Sequence, residues 1–304
     1  MSTTVAETKL PLSLFCRGKV RDTYNLNSTL LIVSTDRLSA FDVVLPDPIP
    51  DKGHVLNQLS YFWFEKTSHI VPNHLLAAVD TKDALKSYFP QKTDPPDYLL
   101  GRSMITVKAE RVPIECVVRG YLSGSAWAEY KKSGTISGTP APKGLKESQE
   151  FPEPIFTPTT KAETGHDEPL SRKALEKLVG KTTAAQLEES SLSVYRYARD
   201  YAGGRGIIVA DTKFEFGFTD GKLILIDELL TPDSSRFWDA SLYSVGRSQP
   251  SFDKQPVRDW LVASGWNKEP PAPKLPPDVI ASTTKRYREA YQRLTGRILS
   301  NVSG

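Results

Sequence analysis

The sequence predicts a soluble globular protein that mixes antiparallel β-hairpins with helices, on a chain long enough for two modest domains. Three observations carry this reading. Two β-branched apolar runs, residues 207–210 and 223–226, flank Asp220-Gly221, a dipeptide that marks a hairpin. Residues 184–202 repeat apolar side chains at helical spacing and meet a stop at Gly203-Gly204. With 304 residues and 39% hydrophobic content, the chain can bury a proper core. Lysines and arginines number 39 against 36 acids, a net charge of +3 that is too small and dispersed for a nucleic-acid surface. Cys16 and Cys116 lie far apart without CxxC or Cys/His spacing, so neither a disulfide framework nor a structural zinc is expected, and a reducing cytosol fits. The N-terminal MSTTVAETKL has no basic region before an apolar core, and no apolar run approaches the ~18 residues of a membrane span, so the expectation is neither secretion nor a membrane.

In chain order, residues 12–24 read as strand-turn-strand, broken at Arg17-Gly18-Lys19. A glycine there lets backbone N–H groups approach phosphate oxygens, and Lys19 and Arg21, two apart, would share a strand face. The GxxxxGK[ST] spacing of a P-loop is absent, and an ordinary hairpin with exposed basic residues is the competing reading. The short buried strand 30–34 runs into TDRLSAFD, whose Ser39 and Asp42 suit either ligand contacts or the cap of a helical turn. Residues 46–50 break the chain with prolines, 56–68 have helical length with aromatics for the core, and 90–96 form a polar surface loop. Strands are expected at 103–109 and 114–118. Arg119-Gly120-Tyr121-Leu122-Ser123-Gly124-Ser125 then offers a guanidinium fork beside glycines and hydroxyls, a loop suited to an oxyanion. Residues 133–164 are rich in Gly, Pro, Ser and Thr and are expected to be extended and irregular. Lys161, Glu163, His166 and Asp167 are the candidate working residues, although His166 reads equally as a solvated loop histidine. Two helices follow over 170–202.

In the hairpin 206–236, Asp211, Lys213 and Glu215, then Asp227 and Glu228, fall at strand ends, where carboxylates beside a lysine suggest metal-assisted phosphate chemistry. A solvated hairpin with its acids turned outward is the alternative. Asp233-Ser234-Ser235-Arg236 repeats the hydroxyl-plus-guanidinium set in a loop, and 251–260 add Lys254 and Arg258. Residues 270–277 form a proline-rich linker, and 278–299 form an amphipathic helix with Asp278 as N-cap.

The segments VPIECVVRGYLSGS (112–125) and VADTKFEFG (209–217) resemble the paired signatures of the phosphoribosylaminoimidazole-succinocarboxamide synthase (SAICAR synthetase) family of purine biosynthesis. RGKVRDTY, TDRLSAFD, GLKESQEFPEPIFTPTTKAETGHD and DELLTPDSSRFW extend the likeness over nearly the whole chain, and the proline-rich insertions and long C-terminal helix resemble the fungal single-chain form. The resemblance implies an α+β fold: an N-terminal antiparallel sheet domain over 1–112, a larger kinase-like α+β ATP-binding domain over 113–269, and a linker and long C-terminal helix over 270–304. It implies an ATP-dependent ligase that joins L-aspartate to phosphoribosyl-aminoimidazole carboxylate (CAIR) through an acyl phosphate, with Mg2+ shielding the transferring charge.

By the same likeness Arg17, Gly18, Lys19, Val20 and Arg21 lie over the ATP phosphates, with Glu115 near the nucleotide and Glu215 and Asp227 at magnesium, Asp227 also touching the nucleotide. Lys161 and Lys213, with Asp211, are placed among the catalytic groups. Arg119, Ser125 and Arg236 are assigned to the ribose 5′-phosphate, and Asp167, Ser39, Asp42, Lys254 and Arg258 to further substrate contacts. A cytoplasmic monomer with small-molecule substrates and no nucleic acid or membrane partner is the accompanying expectation. A protein-kinase-type phosphotransferase would need an HRD-type loop, which the sequence lacks. A non-catalytic nucleotide binder would have lost the acids or the arginines. For Glu215 and Asp227 to share a face of the hairpin, a three-residue turn over 219–221 or an equivalent bulge is required, which would set Lys213 opposite Asp227.

Overall fold

Two antiparallel sheets organise the computed structural model, which describes residues 4–90, 93–161 and 167–299. Strands β1 (Leu14–Arg17), β2 (Arg21–Leu26) and β3 (Thr29–Ser34) run as a meander, followed by the small hairpin of β4 (Ser39–Ala40) and β5 (Val43–Val44) and by helix α1 (Lys52–Thr67). With β6 (Leu75–Ala78), α2 (Asp83–Lys86) and β7 (Ser103–Val107) the first sheet is complete, in the order β1-β2-β3-β7-β6. The second sheet takes β8 (Glu110–Arg111) and β9 (Ile114–Tyr121). Helix α3 (Gly124–Ser133) and the hairpin of β10 (Thr135–Ile136) and β11 (Thr139–Pro140) then precede β12 (Glu150–Phe156) and β13 (Thr159–Thr160). Helices α4 (Arg172–Val179) and α5 (Lys181–Gly203) lead into β14 (Ile207–Thr219), β15 (Lys222–Ile226) and β16 (Ser235–Asp239), and α6 (Gln255–Ala263) and α7 (Pro277–Thr295) close the chain. The sheet runs β12-β9-β14-β15, with β13 also on β9 and with β16 and β8 on β14. The expected α+β class, with its N-terminal antiparallel sheet and long C-terminal helix, is the observed one.

The largest core joins one face of the second sheet to three helices. Cys116, Val118, Phe214 and Phe216 meet Leu187, Val194 and Ala198 of α5, Val55, Leu59 and Trp63 of α1, and Tyr287, Ala290 and Leu294 of α7. Each such side chain contributes roughly 2 kcal/mol relative to remaining in water. A second cluster, with Leu31, Val33, Leu85 and Leu99, fills the first sheet. Helix α1 begins at Lys52, earlier than its apolar pattern indicates, because it packs on β3, β6, β7 and α7 and buries residues on several sides.

Several expectations are corrected. Within the segment 133–164, the described part up to residue 161 is only partly irregular: it carries α3's last residue and strands β10 to β13, of which β10 and β11 pair with each other while β12 and β13 join the edge of β9. Glu163 and His166 lie outside the described residues. Arg119 and Arg236 stand within β9 and β16 rather than in loops, and Asp211, Lys213 and Glu215 are interior to a 13-residue strand rather than at its end. Helix α7 is preceded by Pro276 with Pro277 at its start, so Asp278 lies in the first turn and is not the N-cap.

The hairpin turn also differs. β14 and β15 pair Thr219 with Lys222 and Glu215 with Ile226, so the turn has two residues, Asp220 and Gly221, at φ 49° and 73°. Positive φ at both central positions matches the twist of the flanking strands, which is why this shorter turn wins over a three-residue one. Lys213 accordingly pairs with Val117 of β9 and not with Asp227.

Gly120 shows how tightly β9 meets α5: a Cβ there would lie 2.0 Å from the Tyr195 hydroxyl, which donates to the Val209 carbonyl at 2.6 Å. Gly120→Ala is expected to destabilise the protein by about 3 kcal/mol, as overpacked cores do. Adding Tyr195→Phe should recover part of that loss in urea unfolding, and a double variant no more stable than the single one would overturn this packing account.

Candidate active site

Strand β14 gathers the chemistry. Alternation turns Asp211, Lys213 and Glu215 to one face while Phe214 and Phe216 enter the core on the other. The pairing with β16 slips by one residue between Val209 and Asp211, a bulge that lets Val209 and Phe214 face the same core despite their odd separation. Asp211 is paired on both edges with an arginine, Arg119 of β9 and Arg236 of β16, and directly opposite residues share a face.

The result is a carboxylate clasped by two guanidinium groups. Arg119 Nη1 lies 3.4 Å from Asp211 Oδ2, Arg236 Nη1 donates to the same oxygen, and the Ser123 hydroxyl adds a third donor at 3.2 Å. Asp211 holds the Arg236 guanidinium above its ordinary pKa despite burial. Arg119 is steered further by Thr157 Oγ1, which accepts from Nε at 3.0 Å, and by Ser125 Oγ, which accepts from Nη2 at 3.2 Å. Gly124, at φ 56°, has no room for a side chain: a Cβ would sit 2.3 Å from Arg236 Nη2.

These groups border a cleft of about 560 Å3, lined among others by Ser39, Asp42, Ser123, Arg236, Lys254 and Arg258. Four of the eight residues expected to contact substrate thus line the same cleft as Arg236, while Arg119 and Ser125, bonded to each other, are not among its lining residues. Burial pushes the Lys254 ammonium down, opposed by Asp233 at 3.9 Å. Asp233 also pairs with the buried Lys52 of α1 at 2.7 Å and accepts from the Tyr287 hydroxyl of α7 at 2.6 Å. Burial works against its ionisation, yet Lys254 and Lys52 hold the carboxyl well below the usual range. Arg258 reaches Asp253 at 3.7 Å.

A second cluster occupies the same sheet face two residues along. Lys213 Nζ is 2.5 Å from Glu115 and 3.5 Å from Glu215, and Lys161 also donates to Glu215. Burial would lower the Lys213 pKa, but Glu215 and Glu115 more than offset it, so the ammonium stays charged. Burial pushes Glu115 up against the pull of Lys213, and Asp167 stands near enough to add to the rise. Asp167 therefore belongs beside Glu115, outside the lining of the cleft that holds the other substrate candidates.

From the first sheet, Arg21 reaches Asp227 at 2.6 Å and Glu228 at 3.2 Å, and these acids hold its guanidinium above its ordinary pKa despite burial. Lys19 sits in the turn and pairs with Asp42 at 2.5 Å, so Lys19 and Arg21 do not share a strand face as their spacing suggests. Arg17 is engaged with Glu7 and Asp22, and Val20 is buried with its carbonyl accepting from Thr35. Sequence reasoning missed Thr157 and Arg37, which anchors the turn through the carbonyls of Gly18 and Lys19, and named Glu228 without its pairing with Arg21. Only the hydroxyl-rich run TPTT hinted at the first. Among the described residues no group of three or more His, Cys, Asp or Glu side chains is placed to hold a metal. No described helix is long and apolar enough to cross a membrane.

Comparison with known proteins gives a consistent likeness. The SAICAR synthetase family profile matches residues 14–273. A phosphoribosylaminoimidazole-succinocarboxamide synthase of Desulfosudis oleivorans is 54% identical over 299 residues, covering 97% of this chain and all of that protein. One of Thermodesulfovibrio yellowstonii is 52% identical over 97% of the chain, again with the whole relative covered. The SAICAR-synthase of Saccharomyces cerevisiae, solved in complex with SAICAR, superposes with a TM-score of 0.88 at 47% identity and covers 97% of this chain and 99% of its own. A chain of this length is thus shared by the Desulfosudis and yeast proteins alike.

Gly18 offers a direct test of the turn. Its φ is not left-handed, and a Cβ would meet only the Arg21 carbonyl, at an ordinary 3.4 Å, so the fold itself does not call for glycine there. Gly18→Val is expected to weaken ATP binding while leaving stability within about 0.5 kcal/mol of the parent. A variant with normal affinity by calorimetry returns this turn to an ordinary hairpin.

Proposed function

The chain belongs to the SAICAR synthetase family, and from that premise we propose that the two clusters on the face of β14 join L-aspartate to the carboxylate of CAIR, with ATP as the driving reactant. It is an ATP-dependent ligase of purine biosynthesis. The observation that carries the division of labour is the spacing on one strand: an arginine-clasped carboxylate at Asp211 and a lysine–carboxylate cluster at Lys213 and Glu215.

In the reading we favour, Arg119, Arg236 and Ser125 receive the ribose 5′-phosphate. A guanidinium carries five N–H donors, so the contact with Asp211 leaves donors on each arginine for the phosphate. Asp211 already accepts from both arginines and Ser123, which suits a clasp better than a base. Ser39, Asp42, Lys254 and Arg258 line the cleft in which the rest of the ribotide and aspartate would lie, with Asp167 toward the nucleotide.

A carboxylate is a poor electrophile. Transfer of the ATP γ-phosphoryl to a CAIR carboxylate oxygen gives ADP and an acyl phosphate. The aspartate amine then attacks the acyl carbon, loses a proton and expels phosphate as the amide forms. Lys213, held charged by its two glutamates, and Lys161 stabilise charge on the transferring group, while Gly18 to Arg21 present backbone and cations to the ATP phosphates.

Glu215 and Asp227 are the hard oxygen donors in reach of this cluster. Magnesium is commonly held by one or two carboxylates with its other positions on phosphates and water, so the donor set fits it. When bound it would neutralise phosphoryl oxygens. The finer parts of the proposal are a monomer in the cytoplasm and lobes divided near residue 112, with 270–304 as linker and helix. The lobe division is supported by the first sheet ending with β7 at Val107 and the second beginning with β8 at Glu110.

Phosphate release from ATP measured with aspartate and CAIR, separately and together, tests the reaction. Release is expected only with both, and equal release with either alone would refute the ligase reading. Arg119→Lys keeps the charge and loses the planar fork, so its KM for CAIR should rise about tenfold or more while KM for ATP stays within about twofold. Equal weakening for both substrates would count against the phosphate assignment.

A further inference from the structure

We infer that Glu147 receives the ammonium of L-aspartate in the substrate cleft and takes from it the proton that must leave before the nitrogen can attack the acyl phosphate. The inference rests on the ligase reading given above, and it gives a role to a side chain in the loop before β12. The charged side chains that line the cleft are those of Asp42, Glu147, Arg236, Lys254 and Arg258. All but one are matched inside the protein: Asp42 by Lys19 at 2.5 Å, Arg236 by Asp211, Lys254 by Asp233 at 3.9 Å and Arg258 by Asp253 at 3.7 Å. Glu147, half-buried, has no ion pair and no side-chain hydrogen bond among the described residues.

The backbone around this carboxylate is firmly held. Gly246 N donates to the Glu147 carbonyl at 2.7 Å, Ser148 N to the Leu122 carbonyl at 2.8 Å and Leu122 N to the Gln149 carbonyl at 2.9 Å, which ties the loop to the end of β9 and to the segment 243–249. Buried Ser148 takes φ 60°; its hydroxyl donates to the Arg247 carbonyl and its own carbonyl accepts from the Tyr243 hydroxyl, both at 2.8 Å. A left-handed residue pinned in this way fixes where its neighbour starts, and strained backbone of this kind recurs beside functional groups.

ATP and CAIR bring anions to the site, and the one cationic group among the reactants is the aspartate ammonium. A ligand that carries both signs suits this wall: Lys254 and Arg258 meet its carboxylates, and the unmatched Glu147 meets its ammonium. An ammonium has no lone pair, so it cannot attack. It gives one proton to the Glu147 carboxylate, and the freed pair forms the C–N bond. The acyl C–O bond then breaks with its electrons going to phosphate, and a second nitrogen proton leaves with that phosphate as the amide forms.

Steady-state kinetics of Glu147→Gln, which keeps the shape and loses the charge, test this. KM for aspartate is expected to rise about tenfold or more, with KM for CAIR and ATP within about twofold of the parent. The variant's kcat/KM for aspartate should climb about tenfold per pH unit toward the amine's own pKa, because only the free amine then reacts, while the parent levels off at lower pH. Asp42, Arg236, Lys254 and Arg258 face the same cleft in both proteins, so the difference between the two profiles isolates Glu147. Succinate keeps both carboxylates and lacks the amine, and it should inhibit parent and variant alike. Glu147→Asp, which restores the charge, should recover part of the loss. An unchanged KM for aspartate, an unchanged pH profile, or an equal loss of succinate inhibition overturns the inference and leaves the ligase reading standing. A parent protein without aspartate-dependent phosphate release overturns both.

Discussion

The site depends on one constraint, the requirement that β14 be paired on both sides along most of its length while presenting ions on one face and core on the other. Its neighbours are β9 and β16 around Asp211, and β15 and β8 further on. A central strand cannot shed a charged side chain to solvent at an edge, so each ion must be met by a partner on the adjoining strands. The directly opposite positions supply them for Asp211, and Glu115 with Lys161 after β13 supplies them for Lys213 and Glu215. Buried ions left alone cost several kcal/mol, which is why the arrangement is a chain of pairs rather than scattered charges.

The two clusters differ in what they leave over. Two guanidinium groups against one carboxylate leave the Arg119–Asp211–Arg236 clasp net positive, a charge suited to an anion. The Lys161, Lys213, Glu115 and Glu215 group is balanced in charge, so it neither repels nor strongly attracts until phosphate or a cation changes the count. Preorganisation of this kind lowers the reorganisation needed at the moment of reaction.

The anchoring network beneath the cleft ties distant parts of the chain to it. Asp233 collects Lys52 from α1, Tyr287 from α7 and Lys254, so both helices brace a carboxylate that holds a lysine lining the cleft. The C-terminal helix is therefore part of the support of the site as well as of the core. The ion pair of Arg288 with Asp51 adds a second tie from α7 to the start of α1.

Several features were legible in the residues alone because they depend on a few neighbours in sequence. The hairpin at Asp220-Gly221, the helix closed by the glycines at 203 and 204, and the period of two that sets Asp211, Lys213 and Glu215 on one face all follow from local backbone preference. The quoted motifs carried the family and hence the chemistry. Tertiary structure alone decided the rest. It chose the two-residue turn, which put residue 227 out of phase with Glu215, and then brought the carboxylate back to Arg21 through a left-handed φ at Asp227. It placed the bulge after Val209, moved Arg236 from an apparent loop into β16, and brought Thr157 to Arg119. None of these could be read locally, since strand register and bulge position are set by which other strands compete for the same edge, and that competition is settled only when distant segments meet.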